Sequence, residues 1–324
     1  MILQEPLDKE QEKWIRNQEL ILANEEILDY SKAGEGNMNV VIRVRTNLKS
    51  FILKQSRPFV NRYPQVPAPK ERILTERFFY RSISHNRLLA GFSPKMIDFF
   101  EKHLVLVLED LGNTSDFTNI YQDPSLFSMG DAASLILFLK NLHSIKIKDF
   151  PDNSAMKFLN HEHIFIFPFV EESGFDLDQL HPGLQKIADF YKNIASLKNA
   201  IEELGQRYLA SGEYLLHGDF YPGSWMKVSE NIKILDPEFA FLGDREFDLG
   251  VMFAHLKLAK VPQNMIDESL QLYQDNNMPL DTKLLDQYTG VEILRRLLGL
   301  AQLPIILSLE EKERLCQEAS SLIL

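Results

Sequence analysis

Residues typical of β-strands are concentrated in the first third of the chain, whereas helical spacing of apolar residues dominates the remainder. Four β-type runs form two candidate hairpins, which are VVIRVR (40–45) with SFILKQ (50–55), and KMIDFF (95–100) with HLVLVLEDL (103–111). Between the hairpins, the apolar spacing over 71–89 predicts a helix. This order predicts a small antiparallel sheet crossed by one helix, built from residues up to about 108.

Helical spacing also recurs over residues 8–30 and 128–145 and within 184–210, and helices are expected to fill the C-terminal part of the chain. The proline-rich stretch 57–70 is predicted to be irregular. The fold class predicted from these patterns is α+β. Its expected divisions are an N-terminal lobe (1–107), a short hinge (108–113) and a mostly helical lobe (114–324).

Composition excludes several classes of function. The formal net charge is −11, which disfavours nonspecific binding of nucleic acid. Cys316 is the single cysteine, so the chain has no internal disulfide and no thiolate metal cluster. The N-terminus lacks the pattern of a signal peptide, and no apolar run reaches the length of a membrane span. We therefore expect a cytoplasmic protein with no nucleic-acid or membrane partner, and a homodimer is left open.

Two acidic clusters follow apolar, strand-like runs within 17 residues of each other. In LLHGDFYPGSW (215–225), Asp219 lies just after a strand-like run, where a carboxylate can accept a proton from a substrate hydroxyl. In IKILDPEFAF (232–241), Asp236 and Glu238 are two positions apart, so on an extended strand both face one side and can share one Mg²⁺ ion. The alternative is that both clusters are solvated turns.

Chemistry on a magnesium-bound phosphate also needs a cation and backbone donors. Lys54 ends an apolar strand, where a lysine is costly to bury unless it is paired, and Glu76 in the following helix is a candidate partner. The glycines of GEGNMN (34–39) allow a backbone conformation that can cradle phosphate oxygens. The alternatives are two surface charges and an ordinary turn.

Together these segments resemble the aminoglycoside phosphotransferase and choline kinase superfamily, whose fold is the two-lobed protein-kinase-like fold. HGDFYPGS is similar to its catalytic loop, and LDPEFA to its metal-binding segment. The closer resemblance is to the 5-methylthioribose kinase family, and it is carried by GEGNMN, DPEFAF and the paired arginines of LRRLLGLAQL (294–303). Ser224 stands where relatives have a metal-binding asparagine.

This resemblance implies a role for each matching residue. Asp219 would orient the acceptor hydroxyl and take its proton, and Arg295 and Arg296 would contact the substrate. His217 and Asp248 would order the catalytic loop. The alternatives are solvent exposure for the two arginines and a helix N-cap for Asp248.

The resemblance also implies two cofactors, ATP and Mg²⁺. The adenine of ATP would lie against the hinge. The expected nucleotide-binding residues are Gly34, Gly36, Asn37, Asn39, Lys54, Glu76, Glu109 and Leu111, and the expected metal ligands are Asp236, Glu238 and Ser224.

The function predicted is an ATP-dependent kinase that phosphorylates a hydroxyl of a small-molecule acceptor, either 5-methylthioribose or a related sugar. One alternative is a phosphotransferase acting on an aminoglycoside, choline or ethanolamine. Such an enzyme would need acidic side chains around its acceptor, where Arg295 and Arg296 would be unfavourable. A second alternative is a pseudokinase that binds nucleotide and serves as a scaffold.

Overall fold

The chain divides into two units in the computed structural model, which describes residues 1–4, 6–34, 38–170, 174–274, 279–300 and 302–324. The first unit contains residues 1–114 together with 151–156, and the second contains 115–150 and 157–324.

The first unit is built on an antiparallel sheet with the strand order β1-β2-β3-β7-β6. Its strands are β1 (Ile27–Lys32), β2 (Asn39–Thr46), β3 (Ser50–Ser56), β6 (Met96–Phe100) and β7 (Val105–Glu109). Both predicted hairpins are therefore present, and β3 is the central strand. The register pairs Lys54 with Val41 on one side and with Leu106 on the other. Lys54 is thus held between two apolar strands.

Three helices of the described residues complete this unit. They are α1 (Lys9–Asn17), α2 (Arg72–Ser84) and α3 (Arg87–Gly91). Asp8 and Gln11 form a reciprocal capping box at the start of α1. The helix predicted over 71–89 is interrupted, because the Asn86 side chain accepts hydrogen bonds from two backbone N–H groups and starts a new helix.

The helix predicted over 8–30 is wrong beyond Asn17. Glu19 has a φ of 58°, which ends the helical conformation, and Ile27–Lys32 form an edge strand paired with β2. Leu28, counted as part of the apolar stripe, is 60% exposed. Apolar residues at adjacent positions fit a strand as well as a helix, and pairing with β2 decides between them.

The prediction that 57–70 is irregular is also wrong in part. β4 (Phe59–Val60) and β5 (Tyr63–Pro67) form a small antiparallel pair within this stretch. Proline is tolerated here because the pair is isolated from the main sheet and has open edges.

The second unit is mostly helical, as predicted. Its helices are α4 (Met129–Ser144), α5 (Ser154–His161), α6 (Leu184–Lys192), α7 (Ala195–Leu209), α8 (Glu246–Leu258), α9 (Gln263–Tyr273), α10 (Thr282–Leu298) and α11 (Leu309–Ile323), with α5 beginning in the first unit. Its core is formed largely by α7, α8, α10 and α11, and α10 is buried along most of its length. No helix in the described ranges is both long enough and apolar enough to cross a membrane.

The helical unit also contains two short pairs of strands. β8 (Tyr214–Leu216) pairs with β11 (Phe241–Gly243), and β9 (Trp225–Val228) pairs with β10 (Asn231–Ile234). Both predicted acidic clusters lie in the connections between these strands.

Candidate active site

The loop between β8 and β9 carries Asp219 and is fixed by its own histidine. His217 is fully buried, and its Nε2 lies 2.8 Å from the carbonyl oxygen of Leu235. The backbone N–H of Asp219 donates to Nδ1 of the same ring at 3.4 Å. With Nδ1 accepting, Nε2 carries a proton and donates it to the Leu235 carbonyl. His217 thus connects the two acidic segments.

Asp248, in the first turn of α8, holds the same loop through its backbone N–H groups. Its fully buried carboxylate accepts the backbone N–H of His217 at 2.7 Å and that of Gly218 at 3.0 Å. The N-cap position of α8 is Arg245, so the alternative of a helix cap at Asp248 is wrong. Two charge-assisted hydrogen bonds to consecutive N–H groups fix the direction of the chain just before Asp219.

Gly218 requires glycine on two counts. Its φ is +83°, in the left-handed region. A Cβ at this position would also overlap the backbone carbonyl of Phe239.

The carbonyl oxygen of Gly218 accepts a hydrogen bond from Asn160 Nδ2 at 3.1 Å. Asn160 is buried and lies on α5, and sequence reasoning missed it because nothing local to its position signals this contact.

The side chain of Asp219 retains 24% of its exposure, and its Oδ1 lies 3.8 Å from Nη2 of Arg296. Burial raises the pKa of Asp219, while the charges of Arg296 and Arg295 oppose that rise. The carboxylate therefore combines an accessible oxygen with increased basicity, as a group that accepts a proton from a hydroxyl requires.

Arg295 and Arg296 are both buried on α10, so the alternative of solvent exposure is wrong. Arg296 Nε donates to Glu292 Oε1 at 2.6 Å, and Arg295 Nη1 donates to Glu292 Oε2 at 3.0 Å. Burial alone would raise the pKa of Glu292, but these two guanidinium groups hold that pKa well below its usual range. Glu292 was missed by sequence reasoning. Its spacing of three and four residues from the arginines was the available signal.

The second acidic cluster does not have the extended geometry predicted for it. Asp236 has a φ of 61° and is exposed, and Pro237–Phe239 form a turn of 3₁₀-helix in which Glu238 is buried. The i, i+2 argument from a strand is therefore wrong, because Pro237 lacks the N–H that a strand ladder needs.

This segment nevertheless has one exposed carboxylate, that of Asp236. Mg²⁺ is usually held by one or two carboxylates together with water and substrate phosphates, and the exposed carboxylate of Asp236 suits that coordination. Ser224 is placed differently. Its buried hydroxyl donates to the Tyr221 carbonyl at 2.8 Å and accepts the Tyr221 N–H at 3.3 Å. These two bonds use the single donor and one of the two lone pairs of the hydroxyl.

Lys54, the residue predicted to bind phosphate, lies in the first unit. Lys54 Nζ lies 2.7 Å from Glu76 Oε1 on α2, and the side chains are 3% and 0% exposed. The alternative of two surface charges is therefore wrong. A buried lysine fixed by a carboxylate presents its charge at a defined position, and this arrangement suits a phosphate-binding site.

The remaining predicted nucleotide-binding residues lie near β2, β7 and the segment after β7. The Asn39 side-chain oxygen accepts a hydrogen bond from Arg72 Nε at 3.1 Å, and Glu109 Oε2 accepts the backbone N–H of Lys95 at 3.0 Å. Gly34 has a φ of +101°, and Leu111 is half-buried. Gly36 and Asn37 lie outside the described residues.

Arg43 stabilises the segment after β7 and was not predicted. From β2 it donates to Asp110 Oδ1 at 3.0 Å, to the Gly112 carbonyl at 2.7 Å and to Asn113 Oδ1 at 2.9 Å. These bonds fix the backbone just beyond Glu109.

The family model described as "Phosphotransferase enzyme family" matches residues 29–278. A methylthioribose kinase of Exiguobacterium sibiricum is 26% identical over 258 residues, covering 74% of this chain and 64% of that protein. The chain therefore spans less than two thirds of that relative's length. A methylthioribose kinase of Bacillus velezensis is 26% identical over 314 residues, covering 83% of this chain and 77% of the relative.

Among solved structures, a choline kinase from Streptococcus pneumoniae superposes with a TM-score of 0.56 at 16% identity, covering 97% of this chain and 99% of that one. The same kinase has also been solved in complex with AMP. This likeness confirms the predicted protein-kinase-like α+β fold.

Proposed function

Because the chain belongs to the phosphotransferase enzyme family, we propose that it is a small-molecule kinase that transfers the γ-phosphate of ATP to a hydroxyl group of a sugar, either 5-methylthioribose or a related one. The observation that carries this proposal is the placement of Asp219. A partly exposed carboxylate lies on a loop fixed by Asp248 and His217, with a guanidinium group 3.8 Å away.

In this proposal Asp219 accepts a hydrogen bond from the acceptor hydroxyl and takes its proton as the phosphoryl group is transferred. Phosphoryl transfer depends mainly on positioning and charge neutralisation, so the fixed loop is the chief contribution of the second unit. Lys54, oriented by Glu76, contacts the phosphates of ATP. Backbone groups of the segment beyond Glu109, held by Arg43, contact the adenine.

Asp236, together with Glu238, would hold Mg²⁺, which supplies neutralisation of the phosphate charge when it is bound. Asp236 itself lies in a left-handed turn just after the strand pair β9 and β10. His217, bonded to the Leu235 carbonyl, fixes this turn relative to the catalytic loop.

The choice of a sugar over a cationic acceptor rests on the charges around Asp219. Two carboxylates, Asp219 and Glu292, are balanced there by Arg295 and Arg296. An aminoglycoside, choline or ethanolamine would need an excess of negative charge. The similarity to methylthioribose kinases supports the same choice.

The experiment is a phosphotransfer assay with γ-labelled ATP and Mg²⁺ against 5-methylthioribose, ribose, choline, ethanolamine and an aminoglycoside. Asp219→Asn serves as the inactive control. We expect labelled product with the sugars and none with the cationic acceptors. Product only with an amino alcohol or aminoglycoside would favour the related phosphotransferases. No product with any acceptor, together with thermal stabilisation by Mg-ATP, would favour a nucleotide-binding scaffold.

A further inference from the structure

Glu292 is the centre of a buried group of charges on α10 and α8. Its carboxylate accepts hydrogen bonds from Arg296 Nε at 2.6 Å, Arg295 Nη1 at 3.0 Å and His255 Nε2 at 3.0 Å. The Glu292 side chain is 1% exposed. One carboxylate therefore faces two guanidinium groups, and Asp219 is the second carboxylate that balances their charge.

Arg296 lies between two carboxylates and is bonded unequally to them. Its Nε forms a short hydrogen bond to Glu292, whereas its Nη2 lies 3.8 Å from Asp219 Oδ1. At 3.8 Å the second contact is an ion pair without a hydrogen bond. A guanidinium group favours a two-pronged bond to a carboxylate. If Glu292 did not hold Arg296, Asp219 would be the carboxylate within its reach.

His255 fixes Glu292 in turn. The Tyr121 hydroxyl lies 2.5 Å from His255 Nδ1, and burial lowers the pKa of His255 to about 4. The imidazole is therefore neutral at ordinary pH. With Nδ1 accepting from Tyr121, its proton is on Nε2 and is donated to Glu292. The guanidinium group of Arg296 also lies over the Tyr221 ring, 5.2 Å from its centroid.

We propose that Glu292 is a positioning residue that keeps Arg296 from forming a close ion pair with Asp219, so that the Asp219 carboxylate stays available to an acceptor hydroxyl. The catalytic part of this proposal rests on the function proposed above. The placement of Arg296 does not, because it follows from the three hydrogen bonds at Glu292 and the longer contact at Asp219.

Several other ionisable groups face Asp219 and are unchanged in the test. They are His217 and Tyr221 from its own loop, Tyr121 from the 3₁₀ segment 117–121, Tyr208 from α7, and Arg295 from α10.

The test is Glu292→Asp, which keeps the charge but withdraws the carboxylate by one methylene. Carboxyl ¹³C-labelled aspartate gives the titration of Asp219 by NMR, and the resonance lost in Asp219→Asn identifies it. We expect the pKa of Asp219 to fall, because the released Arg296 moves closer. We also expect kcat to fall roughly tenfold while KM for ATP stays unchanged, because the carboxylate is then occupied.

The matched control is Glu268→Asp on α9, an exposed position, where neither quantity should change. An unshifted or raised pKa of Asp219 in Glu292→Asp would overturn the proposed placement of Arg296. A lowered pKa with unchanged kcat would overturn the catalytic part alone. If the wild-type protein phosphorylates no acceptor, the proposed function fails, and the NMR titration still decides the placement.

Because Glu292→Asp shortens a buried side chain and so weakens the fold, a second pair of variants acts through His255. Asparagine at this position withdraws the donor from Glu292, whereas glutamine places an amide donor close to the position of Nε2. We expect His255→Asn to lower the pKa of Asp219 and His255→Gln to leave it unchanged. Equal titrations of Asp219 in the two variants would overturn the proposal.

Discussion

Asp248→Asn should remove hydrogen bonds that hold the catalytic loop, and the contacts of Asp248 give the size of the expected loss in stability. Asp248 accepts two backbone N–H groups, from His217 and Gly218, and is fully buried. An asparagine can accept only one of them and turns its own NH₂ group towards the other. A hydrogen bond to a charged group contributes about 1.5–3 kcal/mol, and a buried donor left unpaired costs about 1–3 kcal/mol.

Removing the buried charge offsets part of this loss, because Asp248 no longer has to be desolvated. We therefore expect the free energy of unfolding to fall by about 2–3 kcal/mol. A folded protein with ordinary stability of about 5–15 kcal/mol would remain folded after this loss. Turnover should fall further than stability implies, because a displacement of about 1 Å at a catalytic group can cost about 100-fold.

The assay is urea unfolding followed by tryptophan fluorescence. The chain has two tryptophans, Trp14 in the first unit and Trp225 beside the catalytic loop in the second. In a Trp14→Phe background, the signal therefore reports the second unit alone. Asp267→Asn on α9 is the matched control, because this exposed aspartate should change stability by less than about 0.5 kcal/mol.

The turnover of Asp248→Asn is then measured on fully folded protein. An unfolding midpoint equal to that of the control, or a lowered midpoint with undiminished turnover, would refute the role assigned to Asp248.

Three further predictions follow from single contacts. Lys54→Met should weaken ATP binding by at least about tenfold and should also lower stability, because the buried Glu76 carboxylate loses its lysine. Adding Glu76→Gln should restore the melting temperature but not the ATP affinity measured by calorimetry. Gly218→Ala should lower the urea midpoint by more than Gly112→Ala, since both glycines have a φ close to +80° but only Gly218 lies against Phe239; equal midpoints would contradict this. Burial lowers the pKa of His255 from 6.5 to about 4, so between these two pH values the unfolded chain binds more protons than the folded one. The free energy of unfolding should therefore fall by about 3 kcal/mol as the pH drops from 6.5 to 4. A His255→Gln variant with the same acid dependence would contradict this assignment.

Elements with regular apolar spacing could be predicted from the sequence. The hairpins around β3 and β7 and the helix over 129–144 were identified because their side-chain periods are unambiguous. The stretch 18–30 was not, because adjacent apolar residues such as Ile27 and Leu28 fit either period. Pairing with β2, a tertiary contact, decides this case.

The catalytic loop could be predicted because its residues are adjacent in the chain. Asp219 and His217 belong to one short motif whose chemistry can be stated without a fold. The turn at Asp236 was predicted wrongly, because spacing alone does not show that Pro237 stops the strand.

The groups that adjust the site come from distant positions. Asn160 and Glu292 are 58 and 73 residues from the groups they serve, Gly218 and Asp219 (218 − 160 and 292 − 219). Resemblance identified Arg295 and Arg296, but not the burial that commits both to Glu292. Such contacts depend on how helices pack, which local sequence patterns do not specify.

The most direct measurement is the turnover of Asp219→Ala together with its affinity for ATP. If Asp219 takes the proton of the acceptor hydroxyl, turnover should fall by about 10²–10⁴-fold while the dissociation constant of Mg-ATP, measured by calorimetry, stays close to that of the wild type. Turnover at the wild-type level with ATP binding retained would contradict the account.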